Sequence, residues 1–111
     1  MDLKLYIGGA YQGQEELARR ENAGAEIYPD FHETIRKAVL QEGEEPRSFA
    51  RQFCQQHPGA VVVADEVGAG VVPLRAEDRT FREAVGRALC IIAQQSERVT
   101  RCCCGIGVRI K

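Results

Sequence analysis

Leu3 to Ile7 alternates apolar and polar residues and then meets Gly8-Gly9, the pattern of a strand running into a glycine-rich turn. Gln14 to Glu21 reads as a short helix that Asn22 and Gly24 end. The apolar patch Ala25 to Tyr28 suits a second strand, with a turn and a capping residue at Pro29-Asp30. Phe31, Ile35, Ala38 and Val39 share one face of a helix that Gly43 closes. Pro46 sits in the first turn of another helix, with inner face Phe49, Phe53 and Cys54, and His57-Pro58-Gly59 stops it. Ala60 to Ala64 is an unbroken apolar run, as in a strand buried on both faces of a parallel sheet. After a loop containing Gly68, Gly70 and Pro73, the longest helix is predicted from Glu77 to Glu97. Its stripe is Phe81, Ala84, Val85, Ala88, Leu89, Ile92 and Ala93. Val99 to Cys104 reads as a further strand, and Gly105-Ile106-Gly107 separates it from Val108 to Ile110. Strands alternating with helices predict an α/β domain with a mostly parallel sheet. Leu3–Ile7 and Ala60–Ala64 should lie side by side, with Gly13 and Glu66 at their shared C-terminal edge.

With 111 residues there is room for one domain over residues 1–111. A net charge of -1 gives no basic excess for nucleic acid. The apolar runs are too short to cross a bilayer and no signal-peptide pattern is present, so the expected location is cytoplasmic. Cys90 and Ile91 widen the apolar stripe of the long helix beyond what a half-exposed helix needs, which predicts a homo-oligomer. The five cysteines include the run Cys102-Cys103-Cys104 and no C-x-x-C pair. Alternation along a strand cannot easily present three such thiolates to one metal, so the expectation is buried structural thiols and no metal site. A metal- or redox-responsive role for the triplet is the rival reading.

Gly8-Gly9-Ala10-Tyr11-Gln12-Gly13-Gln14-Glu15 has the spacing of G-x-x-x-x-G-K-[ST]. Glycines there let backbone N–H groups curl round a phosphate at a helix N-terminus. Gln14 stands where lysine would neutralise phosphates, and Glu15 stands where a hydroxyl would ligate magnesium. A plain glycine turn before a helix explains the segment as well. Asp65-Glu66 ends the apolar strand as a Walker B pair would, where carboxylates hold magnesium or water; two surface carboxylates are the plainer alternative. His57 is expected in a solvated turn. His32 sits at a helix start near Glu33 and Arg36, a position more often structural than catalytic. Arg75, Arg79, Arg82 and Arg87 form a charged face from which Arg79 and Arg82 could reach an anionic ligand.

Glu66-Val67-Gly68-Ala69-Gly70-Val71-Val72-Pro73 resembles the N-E-V-G-x-G-I-V-P signature of the bifunctional adenosylcobinamide kinase / adenosylcobinamide-phosphate guanylyltransferase family. Arg79 to Arg87 is similar to its R-x-F-R-[DE]-x-x-G-R segment, and Gly105 to Lys111 to its closing glycine turn and Ile-Lys. Gly8-Gly9-Ala10-x-x-Gly13 is similar to its G-G-A-R-S-G-K-S loop. The resemblance implies a P-loop α/β fold, cyclic homo-oligomers and two reactions of cobalamin biosynthesis. These are phosphorylation of adenosylcobinamide, and GMP transfer from GTP through a guanylylated histidine. It implies GTP or ATP with magnesium, and nucleotide and corrinoid partners. The nucleotide would bind at Gly8, Gly9, Ala10, Gly13, Gln14 and Glu15, and Asp65, Gly68, Gly70, Arg79 and Arg82 would line the ligand loop. Glu66 carries over from the signature, and His32 is the sole histidine candidate in the middle segment. The family's loop lysine and serine read Gln14 and Glu15, its N-E reads Asp65-Glu66, and the segment from Ala23 to Pro58 is shorter and lacks the arginine-rich histidine motif. Two readings follow: an enzyme with weakened phosphoryl transfer, or a non-catalytic relative that binds a corrinoid or a partner.

Overall fold

A computed structural model describes residues 3–66 and 76–111. The elements run β1 (Lys4–Gly8), α1 (Gln14–Glu21), β2 (Ile27–Tyr28), α2 (Phe31–Arg36), a π-helical stretch (Lys37–Gln41), α3 (Pro46–Gln56), β3 (Val61–Asp65), α4 (Ala76–Gln95), β4 (Arg98–Cys103) and β5 (Ile106–Arg109). They form one sheet in the order β2-β3-β1-β4-β5. The first four strands are parallel and β5 closes the far side antiparallel to β4. The expected pairing of β1 with β3 is present, with Lys4 opposite Val61 and Gly8 opposite Asp65.

Both sheet faces are covered, which explains the uninterrupted valines of β3. On one face Leu5, Val62, Ala64 and Val99 pack under Phe31, Ile35, Phe53, Val85, Ala88 and Ile92 from α2, α3 and α4. On the other, Tyr6, Val61, Val63 and Cys102 meet Leu17 and Ala18 of α1. The first cluster centres on Phe31, whose ring lies 4.6 Å from that of Phe53 and 6.1 Å from that of Phe49. At the start of α3 the Glu45 carboxylate accepts the Arg47 and Ser48 N–H groups, and Pro46 needs no acceptor there.

Several expectations change. The helix predicted through Val39 gives way at Lys37 to a π-helical stretch, which swings Leu40 outward to 40% exposure while Ala38 stays buried. Ile106 and Gly107 belong to β5 and do not separate two segments. The separator is the two-residue turn Cys104-Gly105, whose φ values of 52° and 77° are both positive, as a type I′ hairpin requires. Only Cys102 of the triplet is buried; Cys103 and Cys104 are exposed, against the expectation of buried thiols. Strand alternation turns Cys102 onto α1 and Cys103 to the opposite face, where it is exposed near the strand's end, and Cys104 has already left the strand. Ile91 is buried, and α4 packs extensively on α3, so that part of the extra apolar width is used within the chain. His57 is half-buried instead of solvated, with its Nδ1 2.9 Å from the Tyr28 hydroxyl.

At the sheet's N-terminal end, the Tyr6 hydroxyl donates to Glu21 Oε1 (2.6 Å) and accepts from Asn22 Nδ2 (3.0 Å). Burial, and then the Glu21 hydrogen bond, push its phenol above the ordinary 10.0. The protonated phenol is therefore favoured by folding. Its stabilisation is complete below pH 10 and is lost as pH rises through the higher folded value. Urea unfolding at about pH 8 and about pH 11 should show wild type losing more stability than Tyr6→Phe over that interval. The buried Cys102 and half-buried Cys54 thiols, also pushed up by burial, are common to both proteins and cancel in the comparison. Equal losses would mean that folding leaves the phenol's pKa unshifted.

Candidate functional site

The carboxyl ends of β1 and β3 meet at one sheet edge, where the Glu66 N–H donates to the Gly8 carbonyl at 2.7 Å. Such edges are where open α/β sheets bind ligands. The loop from Gly9 to Gly13 leaves this edge and enters α1 with Gly13 at φ 86°, a value that favours glycine. Two further contacts hold the loop against the β4–β5 turn. Gln12 accepts the Gly105 N–H on its backbone oxygen (2.8 Å) and the Cys104 N–H on Oε1 (2.7 Å).

Gln14 is buried, and its Nε2 donates to Gly8 O (3.3 Å), Gly9 O (3.0 Å) and Asp65 Oδ1 (2.9 Å). The side chain is thus folded back onto the sheet edge. Its Oε1 has no partner among the described residues. Asp65 continues the chain of contacts to His32, a buried residue. The Asp65 N–H donates to His32 Nδ1 at 3.1 Å, and Asp65 Oδ2 lies 3.7 Å from His32 Nε2. An accepting Nδ1 puts the proton of the neutral ring on Nε2, toward the carboxylate. The carboxylate therefore lies between an amide donor and an imidazole.

The other carboxylates are engaged too. Glu66 Oε2 is 3.3 Å from an Arg101 guanidinium nitrogen, and Glu15 turns along the helix to Arg19 at 3.0 Å. Among the described residues no group of three or more His, Cys, Asp or Glu side chains is placed to hold a metal. With Asp65 against Gln14 and His32, Glu66 on Arg101 and Glu15 on Arg19, these residues do not fit a magnesium site as they stand.

Gly8, Gly9, Gly13, Gln14, Asp65, Glu66 and His32 come together at one edge, with Ala10 exposed in the loop. Glu15 sits one position into α1 and faces away toward Arg19. Arg79 and Arg82 lie in the early turns of α4, Arg79 exposed and Arg82 half-buried. Gly68 and Gly70 lie outside the described residues. Sequence reasoning missed Arg101 and Gln12. Arg101 reaches the edge only because β4 pairs with β1 in a register that sets it opposite Ile7.

The family model described as cobinamide kinase / cobinamide phosphate guanyltransferase matches residues 31–110. The chain belongs to that family. The match begins at α2 and takes in His32, Asp65, Glu66 and the β4–β5 hairpin, while the glycine-rich loop precedes it. Within the cobinamide kinase / cobinamide phosphate guanyltransferase family, the bifunctional adenosylcobalamin biosynthesis protein CobU of Salmonella typhimurium is 42% identical over 59 residues. That alignment covers 52% of this chain and 33% of the Salmonella protein, so the chain matches about a third of that relative's length.

Proposed function

We propose that this chain handles nucleotide at the adenosylcobinamide kinase / adenosylcobinamide-phosphate guanylyltransferase stage of cobalamin biosynthesis, with weakened phosphoryl-transfer chemistry. Family membership supports the stage. One observation carries the weakening: the side chain in the loop's cation position is a neutral amide committed to Asp65 and two loop carbonyls. Phosphoryl transfer rests on positioning and on neutralising charge. The loop's backbone N–H groups and the α1 dipole remain able to attract an anion. No lysine accompanies them in the loop, and Glu15 adds a negative charge. The reading includes one domain over residues 1–111, a homo-oligomer in the cytoplasm, and nucleotide and corrinoid ligands without nucleic acid or membrane. Light scattering at micromolar concentration tests the oligomer, and a monomer mass would remove it.

Calorimetric titration with GTP and ATP, with and without magnesium, tests the nucleotide reading. The expected wild-type result is weak binding. The double variant Gln14→Lys with Glu15→Ser restores a charge-assisted bond worth about 1.5–3 kcal/mol, or roughly 10–150-fold in affinity. Its binding should also become more salt-sensitive. Wild-type binding at low micromolar levels, with the double variant no tighter, would defeat the proposal. The alternative is a non-catalytic relative that binds a corrinoid or a partner, favoured by the contacts that close Asp65 between Gln14 and His32. Adenosylcobinamide binding without nucleotide, together with no gain in the double variant, would select it.

A further inference from the structure

The exposed thiols of Cys103 and Cys104 share a cleft with the glycine-rich loop. The cleft, of about 590 Å³, is lined by Gly9 and Gln12 from the loop and by Arg101 and Cys102 to Cys104 from β4 and its turn. That volume is within the range of small-molecule sites, about 300–1,000 Å³. Cys104 occupies the first central position of the hairpin turn at φ 52°, where asparagine, aspartate or glycine is the usual choice. Its own N–H is one of the two turn amides that hold Gln12, the other being that of Gly105. Gly13 closes on the same turn, since a Cβ on Gly13 would lie 3.2 Å from the Gly105 Cα. A group attached at Cys104 therefore enters the space beside Gly9 and loads the turn that anchors the loop.

We propose that the Cys103–Cys104 turn is a thiol-modification site, that its reactant is a small anionic disulfide of the oxidised glutathione class, and that the adduct on Cys104 releases the glycine-rich loop. The Cys104 thiol gives its proton to solvent, and the thiolate attacks one sulfur of the disulfide. A new bond forms between Cys104 Sγ and that sulfur, the original S–S bond breaks, and the second half leaves as a thiolate. One disulfide is consumed and one formed, so the exchange needs no further oxidant, and reduced thiol reverses it. Arg101, exposed at the edge of the cleft and 3.3 Å from Glu66 Oε2, can exchange that carboxylate for one of such a molecule's. Cys102 and Cys54, buried and half-buried, are shielded by comparison. Cys90 is exposed on α4 outside this cleft and serves as an internal control. The inference concerns how the loop is anchored and does not depend on the nucleotide reading.

The experiment treats native protein with oxidised glutathione, maps adducts by mass spectrometry and follows exchange of the Cys104 and Gly105 backbone amides that hold the loop. The expected result is an adduct in the 102–109 segment ahead of Cys54. The Cys104 and Gly105 amides, which donate the anchoring hydrogen bonds to Gln12, should then exchange on the order of tenfold faster and recover on reduction. Cys104→Asn, which suits the turn's positive φ and lacks the thiol, should fold normally and show no faster exchange of the turn amides on treatment. Gln12→Ala should speed exchange of the Cys104 amide without any adduct. Complete reaction at Cys90 with none at 102–109 would overturn the proposal. So would an adduct at Cys104 with unchanged exchange of the two turn amides, or faster exchange on treatment that persists in Cys104→Asn.

Discussion

Phe31→Ala is expected to lower the free energy of unfolding by about 3–5 kcal/mol, the usual effect of removing a fully buried aromatic side chain. Phe31 is 0% exposed at the start of α2, against the rings of Phe49 and Phe53 from α3. Its ring joins α2 and α3 in the cluster that also buries Val62 and Ile92, so collapse into the cavity would require two helices to shift together. Urea denaturation followed by circular dichroism measures the loss. Leu40→Ala, on the exposed side of the π-helical stretch, should stay within about 0.5 kcal/mol and serves as the control. A loss below about 1 kcal/mol at Phe31 would mean that α2 and α3 do not pack there as described.

Gly8→Ala carries the second large effect and reaches the site directly. A Cβ on Gly8 would lie 2.7 Å from the backbone oxygen of Cys102, closer than real Cβ contacts come. That oxygen belongs to β4, so relief requires the central strands to separate, and no side chain can rotate aside instead. The expected destabilisation is about 1–3 kcal/mol. Gly8 also accepts from Glu66 N–H and Gln14 Nε2, so the same shift disturbs Glu66 and, through Gln14, Asp65. Gly9→Ala is the discriminating companion. Its added Cβ meets only Gln12 Cγ, at an ordinary 3.7 Å, and the expected change is within about 0.5 kcal/mol. If both variants melted alike, the close approach of β1 and β4 would not be the reason for glycine at position 8.

The fold was largely legible because its signals are local. The valine run announced a buried central strand, Pro46 a helix start, and Gly13 the turn into α1. The π-helical stretch was not legible, since Ala38 and Val39 suit an α-helical face as well as the observed one. The hairpin was misread because Ile106-Gly107 looked like a spacer; only the pairing of Cys102 with Gly107 reveals a strand there. In the site, the glycines and the Asp65-Glu66 pair were found from spacing. The Gln14–Asp65–His32 contacts were out of reach, because they join residues from three separate segments. Arg101 and Gln12 were missed for the same reason, each acting across the sheet edge on a partner far along the chain.

The position of β1 in the sheet also constrains the order in which the protein can be completed as it is made. This first strand lies between two late ones, Lys4 facing Val61 on one side and Arg98 on the other. A nascent chain that has released β3 can pair one edge of β1, while the other edge keeps its hydrogen-bonding groups open until β4 leaves the ribosome. Unpaired edges of this kind invite pairing with other chains. Stalled synthesis short of Arg98 would therefore leave a species prone to aggregate, and the growing chain would gain most of its protection over the few residues that form β4.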